Sequence, residues 1–280
     1  MRDELHIGRF VAALTAQGRV RVMAVVVDGP ADVLRERHDL QADGGRLAAE
    51  ALVASLLLAA HIKGEERLTV DIQAENPRFA IVIDVNADGT VRGRLRPPDV
   101  VCAGSFSGLL SVGKSLGRKE LYRGVSEIRG ESLERALNRY LLDSQQTDAR
   151  VRVRAELDDD GHVVFAAGLL VERLPDMPAD DFAAQFDGAL AGDFRELMTA
   201  FAFGQIAGET VEVLGARDIH FSCPCSAERV GAMLRTLGRE EVSTILAEQG
   251  RAEVICHFCN EVYEFDGAAL EAMLTELADA

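Results

Sequence analysis

A chain of 280 residues with 46 acidic and 30 basic side chains carries a formal charge of −16. That balance argues against a general nucleic-acid binder, because phosphate binding rests on clustered lysine and arginine. Nearly half the residues, 48%, are apolar and 5% are aromatic, which suits a globular chain long enough for a sizeable core and two or more domains.

Met1-Arg2-Asp3-Glu4 carries acids and no apolar run, so no signal peptide is expected. Arg19 to Val27 alternates and is β-branched, the pattern of a strand. Leu47 to Ile62 is the most apolar stretch, but it holds Glu50, Ser55 and His61 and is too short to cross a bilayer. It is expected as part of a buried helix from about Arg46 to Lys63, capped by Gly64, and no membrane partner is expected. Leu68 to Ala74 and Phe79 to Val85 read as strands, and Asn86-Ala87-Asp88-Gly89 turns the second into Thr90 to Leu95. Pro97 to Gly130, rich in glycine and serine, is expected to be irregular. Ser132 can N-cap a helix through Leu133, Leu137, Tyr140 and Leu141. Arg150 to Leu157 and His162 to Val171 form a second hairpin around Asp158-Asp159-Asp160-Gly161. Antiparallel strands with inserted helices imply an α+β domain over residues 1–175.

Pro175 and Pro178 mark a boundary. Beyond them Phe182, Phe186, Leu190, Phe194, Leu197 and Phe201 recur at steps of four, four, four, three and four, one apolar stripe on a helix. Gly188 and Gly192 interrupt it, each costing about 1 kcal/mol relative to alanine. The segment 176–216 is therefore expected as a linker, either an ordinary packed connector or a conditional helix that comes undone when its docking surface is lost. Residues 217–280 read as a small module: a short strand from Arg217 to Ser222, a helix capped by Ser226 and stopped by Gly238, and another from Glu240 to Glu248 stopped by Gly250. Short strands Glu253 to Ile255 and Val262 to Phe265 come after it. Asp266 caps a last helix with Leu270, Met273, Leu274 and Leu277 inward.

Within that module Cys223-Pro224-Cys225 and Cys256-His257-Phe258-Cys259 place four cysteines in two tight pairs. Two such pairs can complete a tetrahedral thiolate site, for which one Zn²⁺ ion is the expected occupant. Buried structural cysteines or permanent disulfides are the alternatives, and the reducing cytoplasm, the expected compartment, favours metal. His220 and His257 are expected to face outward. Cys102 stands alone and reads as a small buried apolar residue. Gly108-Leu109-Leu110-Ser111-Val112-Gly113-Lys114-Ser115 matches the phosphate-loop pattern, but no apolar strand leads directly into it, and Gly117 and Gly124 interrupt any helix after the lysine. Neither nucleotide binding nor catalytic residues are expected, and the chain does not read as an enzyme.

Phe221-Ser222-Cys223-Pro224-Cys225-Ser226 with Glu228-Arg229, and Cys256-His257-Phe258-Cys259-Asn260 with Tyr263 and Phe265, resemble the two zinc motifs of the heat shock protein 33 family. The resemblance continues through Arg37-His38, Val91-Arg92-Gly93, Val112-Gly113-Lys114, Tyr122-Arg123-Gly124 and Ser144-Gln145-Gln146-Thr147. Two departures are Ala74-Glu75-Asn76-Pro77 in place of a glycine-rich turn and Gln145 in place of glutamate. The resemblance implies a redox-regulated, ATP-independent holdase, inactive when reduced and zinc-bound. Oxidation would join Cys223 to Cys225 and Cys256 to Cys259, release zinc, unfold the linker and expose apolar surface to unfolding clients, with a homodimer as the oxidised form. A constitutive zinc-ribbon-like adaptor for a partner protein is the competing reading.

Overall fold

Two strands set the plan because both of their faces are apolar. The computed structural model describes residues 7–277; the Met1–Glu4 stretch lies outside them. The chain opens with β1 (Ile7–Thr15) and β2 (Val20–Val26), followed by α1 (Asp28–Arg37) and α2 (Ala42–Leu58), which a 3-10 turn over Ala59–His61 extends. β3 (Glu66–Asn76), β4 (Arg78–Asn86) and β5 (Thr90–Arg96) form a meander. β6 (Phe106–Leu116), β7 (Lys119–Glu131), α3 (Leu133–Asp143), β8 (Ala149–Leu157) and β9 (Val163–Arg173) come next. α4 (Ala179–Leu190), α5 (Phe194–Ala202), β10 (Gln205–Ile206) and β11 (Glu209–Phe221) complete this part. Among the described residues these strands form one 11-stranded sheet, ordered β7-β6-β3-β4-β5-β11-β1-β2-β9-β8 with β10 beside β11. Its pairs are antiparallel except for a brief parallel contact of β11 with β5 at His220↔Thr90 and Phe221↔Val91. The architecture is α+β, as the alternating strands and inserted helices imply.

One face of the sheet is covered by α1, α2 and α3. Leu34, Leu47, Leu52, Leu56 and Tyr140 pack there with Val70, Ile72, Ile81 and Ile83. Met23 and Val25 of β2 and Ala166 and Leu170 of β9 point into this core. Their neighbours Val22, Ala24, Ala167, Leu169 and Val171 point the other way, into a second core. Burial on both faces is what gives β2 and β9 their unbroken apolar runs. Gly168 of β9 admits α2 closely: a Cβ there would lie 2.3 Å from Val53 Cγ1.

The second core is roofed by α4 and α5. Phe182, Phe186, Leu190, Phe194, Leu197 and Phe201 are all buried in it. They lie on two helices, not on the single one expected. The helix breaks at Ala191–Asp193, where Gly192 offers no side chain to pack and the Asp193 carboxylate accepts the Glu196 N–H at 2.9 Å as an N-cap.

Two further expectations give way. Residues 97–130, read as irregular, contain the β6–β7 hairpin. Its inward side chains, Phe106, Leu110, Val112 and Ile128, are apolar, while Gly108 and Gly124 stand where other atoms leave no room for a Cβ. A Cβ on Gly108 would meet the Gln73 carbonyl oxygen at 2.1 Å. The phosphate-loop pattern thus lies inside β6, paired with β3 and β7 on either side, and Lys114 Nζ sits 2.9 Å from Glu66. The strand ahead of the first cysteine pair is also longer than Arg217–Ser222, because β11 starts at Glu209 and runs the length of β1.

Contacts divide the chain after Ser222. The segment 176–216, expected as a linker, falls within the first unit, as do residues 217–222. The second unit begins at Cys223 and contains α6 (Ala227–Arg235), α7 (Arg239–Gln249), the β12 (Ala252–Ile255) and β13 (Val262–Phe265) hairpin, and α8 (Gly267–Glu276). Its core is small: Val230, Leu234, Val242, Ala252, Phe265, Leu270 and Met273. No helix among the described residues is long and apolar enough to cross a membrane.

Candidate metal centre

Each cysteine pair is presented by a loop that local chemistry holds in shape. After Cys225 the Ser226 hydroxyl accepts the Arg229 N–H at 3.2 Å and caps α6. The Arg229 guanidinium reaches back to the Pro224 carbonyl at 2.5 Å, tying the first pair to that helix. The second pair forms the tip of the β12–β13 hairpin. There the Cys256 N–H donates to Glu261 O at 2.9 Å and the Asn260 N–H to Cys256 O at 2.8 Å. Asn260 has a φ of 58°, a left-handed conformation that asparagine tolerates better than most residues.

The two loops bring four sulfurs together. The Sγ atoms of Cys223, Cys225, Cys256 and Cys259 all lie within 4.8 Å of one another. Cys223 and Cys256 are 3.7 Å apart, and Cys225 and Cys259 3.2 Å. A tetrahedral ion with metal–sulfur bonds of about 2.3 Å requires sulfur–sulfur edges of about 3.8 Å. The donors and their spacing are therefore those of a site positioned to bind one metal ion. Cys259 is buried and the other three are half-buried.

The sulfurs differ electrostatically. Burial opposes ionisation of Cys256, yet the backbone N–H groups of Phe258 and Cys259 and the neighbouring thiols outweigh it and bring the group down to about 7. Burial pushes the Cys259 thiol up, and the sulfurs of Cys225, Cys256 and Cys223 add to that rise, against the Glu261 N–H. The Tyr263 hydroxyl donates to Cys225 Sγ at 3.0 Å, and this bond, more than burial, raises the phenol's own pKa. His220 and His257 are exposed, and neither belongs to the sulfur cluster. Cys102 is buried elsewhere, its thiol 3.6 Å from the Ser105 carbonyl.

The apolar stripe is fastened by side chains that its own periodicity does not reveal. Arg150 of β8 bonds to Asp187 at 2.8 Å and lies over the Phe182 ring at 5.2 Å. Arg152 donates to the Leu190 carbonyl and covers the Phe194 ring at 5.4 Å. Arg195 pairs with Glu156 at 2.6 Å and stacks on Phe165 at 4.1 Å. Alternating arginines on a strand read in sequence as an ordinary solvated face, so only the fold shows that these are clamps. Tyr263 likewise stands out in sequence only as part of a motif, because a period-two strand pattern says nothing of where a hydroxyl points.

Comparison with known proteins agrees with this arrangement. A family model described as Hsp33 protein matches residues 8–266. The 33 kDa chaperonin of Bacillus subtilis is 31% identical over 94% of this chain and 97% of its own. That of Brevibacillus brevis is 31% identical over 95% of this chain and 98% of its own. The crystal structure of the 33 kDa chaperonin (heat shock protein 33 homolog) of Thermotoga maritima superposes with a TM-score of 0.85, covering 99% of this chain and 100% of that one. At 23% identity this likeness speaks for the fold.

Proposed function

The chain belongs to the Hsp33 family, chaperones rather than enzymes, and from that premise we propose that it is a redox-regulated, ATP-independent holdase. Its metal is Zn²⁺, one per chain, because four thiolates in a tetrahedron suit that redox-inert ion. Bound zinc keeps the four sulfurs deprotonated and lends its binding free energy to the folding of residues 223–277. Apparent values of roughly 10–16 kcal/mol exceed the stability of most whole domains, whereas the core of this unit consists of a few side chains.

Oxidation withdraws that support. A cysteine sulfur attacks one oxygen of hydrogen peroxide, an S–O bond forms, the O–O bond breaks, and hydroxide leaves to be protonated. The second sulfur of the pair attacks the resulting sulfenic acid, an S–S bond forms, and a second hydroxide leaves. One peroxide and two thiols thus give one disulfide and two waters. Sulfurs of different pairs touch at 3.7 and 3.2 Å, but once the loops part, sulfurs two or three residues apart stay close to each other while those 33 or more apart do not. Cys223–Cys225 and Cys256–Cys259 are accordingly the expected disulfides. Disulfide sulfur no longer serves as a thiolate ligand, and the small unit loosens.

β11 leads through Ser222 into Cys223 and follows α4, α5 and β10 in the chain, and on this reading loosening of the second unit passes back along it to those helices. Their release uncovers two apolar surfaces together: the stripe Phe182, Phe186, Leu190, Phe194, Leu197 and Phe201, and the sheet face Val22, Ala24, Ala167, Leu169 and Val171. A holdase needs such a surface to catch unfolding proteins and, when oxidised, to pair with a second copy. The reading places the protein in the cytoplasm, with no nucleotide, nucleic-acid or membrane partner.

The observation that carries this proposal is the gathering of four thiols within 4.8 Å in a unit with so little core of its own. The test titrates peroxide under mild heating, follows zinc with a chromogenic chelator, and measures light scattering from an aggregating client. Zinc release and suppression of scattering should rise together. Equal suppression by reduced and oxidised protein, with zinc retained, would leave the constitutive adaptor as the correct reading.

A further inference from the structure

We propose that Tyr263 sets how readily the thiol cluster is oxidised, by donating its phenolic hydrogen to Cys225 Sγ; the inference rests on the zinc-thiolate reading above. The hydroxyl lies 3.0 Å from that sulfur. The residue sits on β13 opposite Val254, and its ring packs against the core of the second unit. Its position is thus fixed by the hairpin register and by apolar contacts, and the hydroxyl is the part left to touch the cluster.

Two of the other sulfurs are served differently. Cys256 takes hydrogen bonds from the backbone N–H groups of Phe258 and Cys259, and Cys259 from that of Glu261. Backbone donors are present whatever the side chains, so substitution leaves them in place. The donor to Cys225 is a side-chain hydroxyl, which a single substitution removes. A hydrogen bond draws electron density from a thiolate and makes it a weaker nucleophile. The step it slows is attack of Cys225 Sγ on peroxide, in which the S–O bond forms, the O–O bond breaks and the departing hydroxide is protonated. Tyr263 acts through Cys225 and is a positioning residue.

Tyr263→Phe keeps the ring and deletes the donor. Full-length wild type and variant are each loaded with Zn²⁺, and separately with Co²⁺ as a spectroscopic probe. Under a fixed excess of peroxide the zinc-loaded variant should release its metal about fivefold faster, the factor expected for one hydrogen bond. In the cobalt-loaded variant the sulfur-to-metal charge-transfer band should move to lower energy, since a sulfur without its hydrogen bond holds its electrons less tightly. The ligand-field bands should keep their tetrahedral form, showing that the site is intact. A structural role would leave the charge-transfer band where it is. Equal release rates, or faster release with an unmoved band, would overturn the proposal while leaving the metal site standing. Wild type that takes up neither ion would overturn the zinc reading and the proposal with it.

Discussion

The two units are stabilised in opposite ways. The first is held by apolar burial on both faces of a sheet, with β2 and β9 sandwiched between two cores. The second has one small core and, beside it, a cluster of four thiols. Hydrophobic burial is spread over dozens of side chains, so no single chemical event removes it, whereas a metal centre can be lost in one. A chain that joins the two can therefore lose one part while the other persists. The first unit repeats the contrast on a smaller scale. α1, α2 and α3 cover one face with an extensive core, while α4 and α5 cover the other with a helix broken at Gly192 and with arginine clamps at the protein surface. Exposed ion pairs of this kind contribute about 0–1 kcal/mol each and are weakened by salt.

The largest expected effect tests the contrast between units. Stripping the metal with a chelator, in the presence of a reductant so that the thiols stay free, should abolish amide-exchange protection in α6, α7, α8 and the β12–β13 hairpin. Protection in α2, β3 and β4 should be retained. If peptides from both units keep their protection, the second unit folds on its own core and the comparison fails. A smaller effect addresses the two faces of the sheet. Phe186 is fully buried in the second core and lies 5.2 Å from the Phe182 ring, so Phe186→Ala should cost roughly 3–5 kcal/mol. The reduced variant should then be cut by protease between residues 178 and 214 and should hold clients without oxidant. Wild-type resistance in that variant would show that the α4–α5 roof is not the weaker cover.

How much of the molecule can be read from its sequence depends on where the signal is local. The cysteine pairs, the caps at Ser132, Ser226 and Asp266 and the β12–β13 strands each announce themselves within a few residues, and the structure has them as expected. β1 and α1 do not: Ile7–Thr15 carries Gly8 and two alanines, and Asp28–Arg37 includes Gly29 and Pro30. Both elements are fixed by their partners, β1 between β2 and β11 and α1 against α2, more than by their own propensities. β6 and β7 are hidden for a related reason, since Gly108 and Gly124, which weaken a strand in isolation, are required where the Gln73 backbone and the Tyr122 and Tyr140 hydroxyls leave no room for a Cβ. The six-residue stripe is visible as periodicity, but the break after Leu190 depends on Asp193 acting as a cap, a choice that lies between two nearly equal local structures. The sulfur cluster is legible as chemistry; its hydrogen-bonded surroundings, Tyr263 among them, are not, because they depend on how two loops 33 residues or more apart meet.

Gly188→Ala gives the finest test of the comparison, because it strengthens the weaker roof without touching either core. Gly188 lies inside α4, has no left-handed φ, and a Cβ added there meets nothing within 4 Å. Alanine should therefore stabilise the helix by about 1 kcal/mol, the full difference in helix propensity. Gly192 differs, for it lies in the break between α4 and α5, where an added Cβ would meet the Ala189 carbonyl oxygen at 3.4 Å. Its replacement acts mainly by restricting the unfolded chain, and the gain is smaller. An increment of about 1 kcal/mol lowers the open population of α4 roughly fivefold. Gly188→Ala should thus raise the peroxide concentration or temperature needed for half-maximal client holding, with zinc release unchanged, since the thiols are untouched. An unchanged threshold beside slower amide exchange in α4 would mean that opening of this helix does not limit activation, and that control lies wholly in the sulfur cluster.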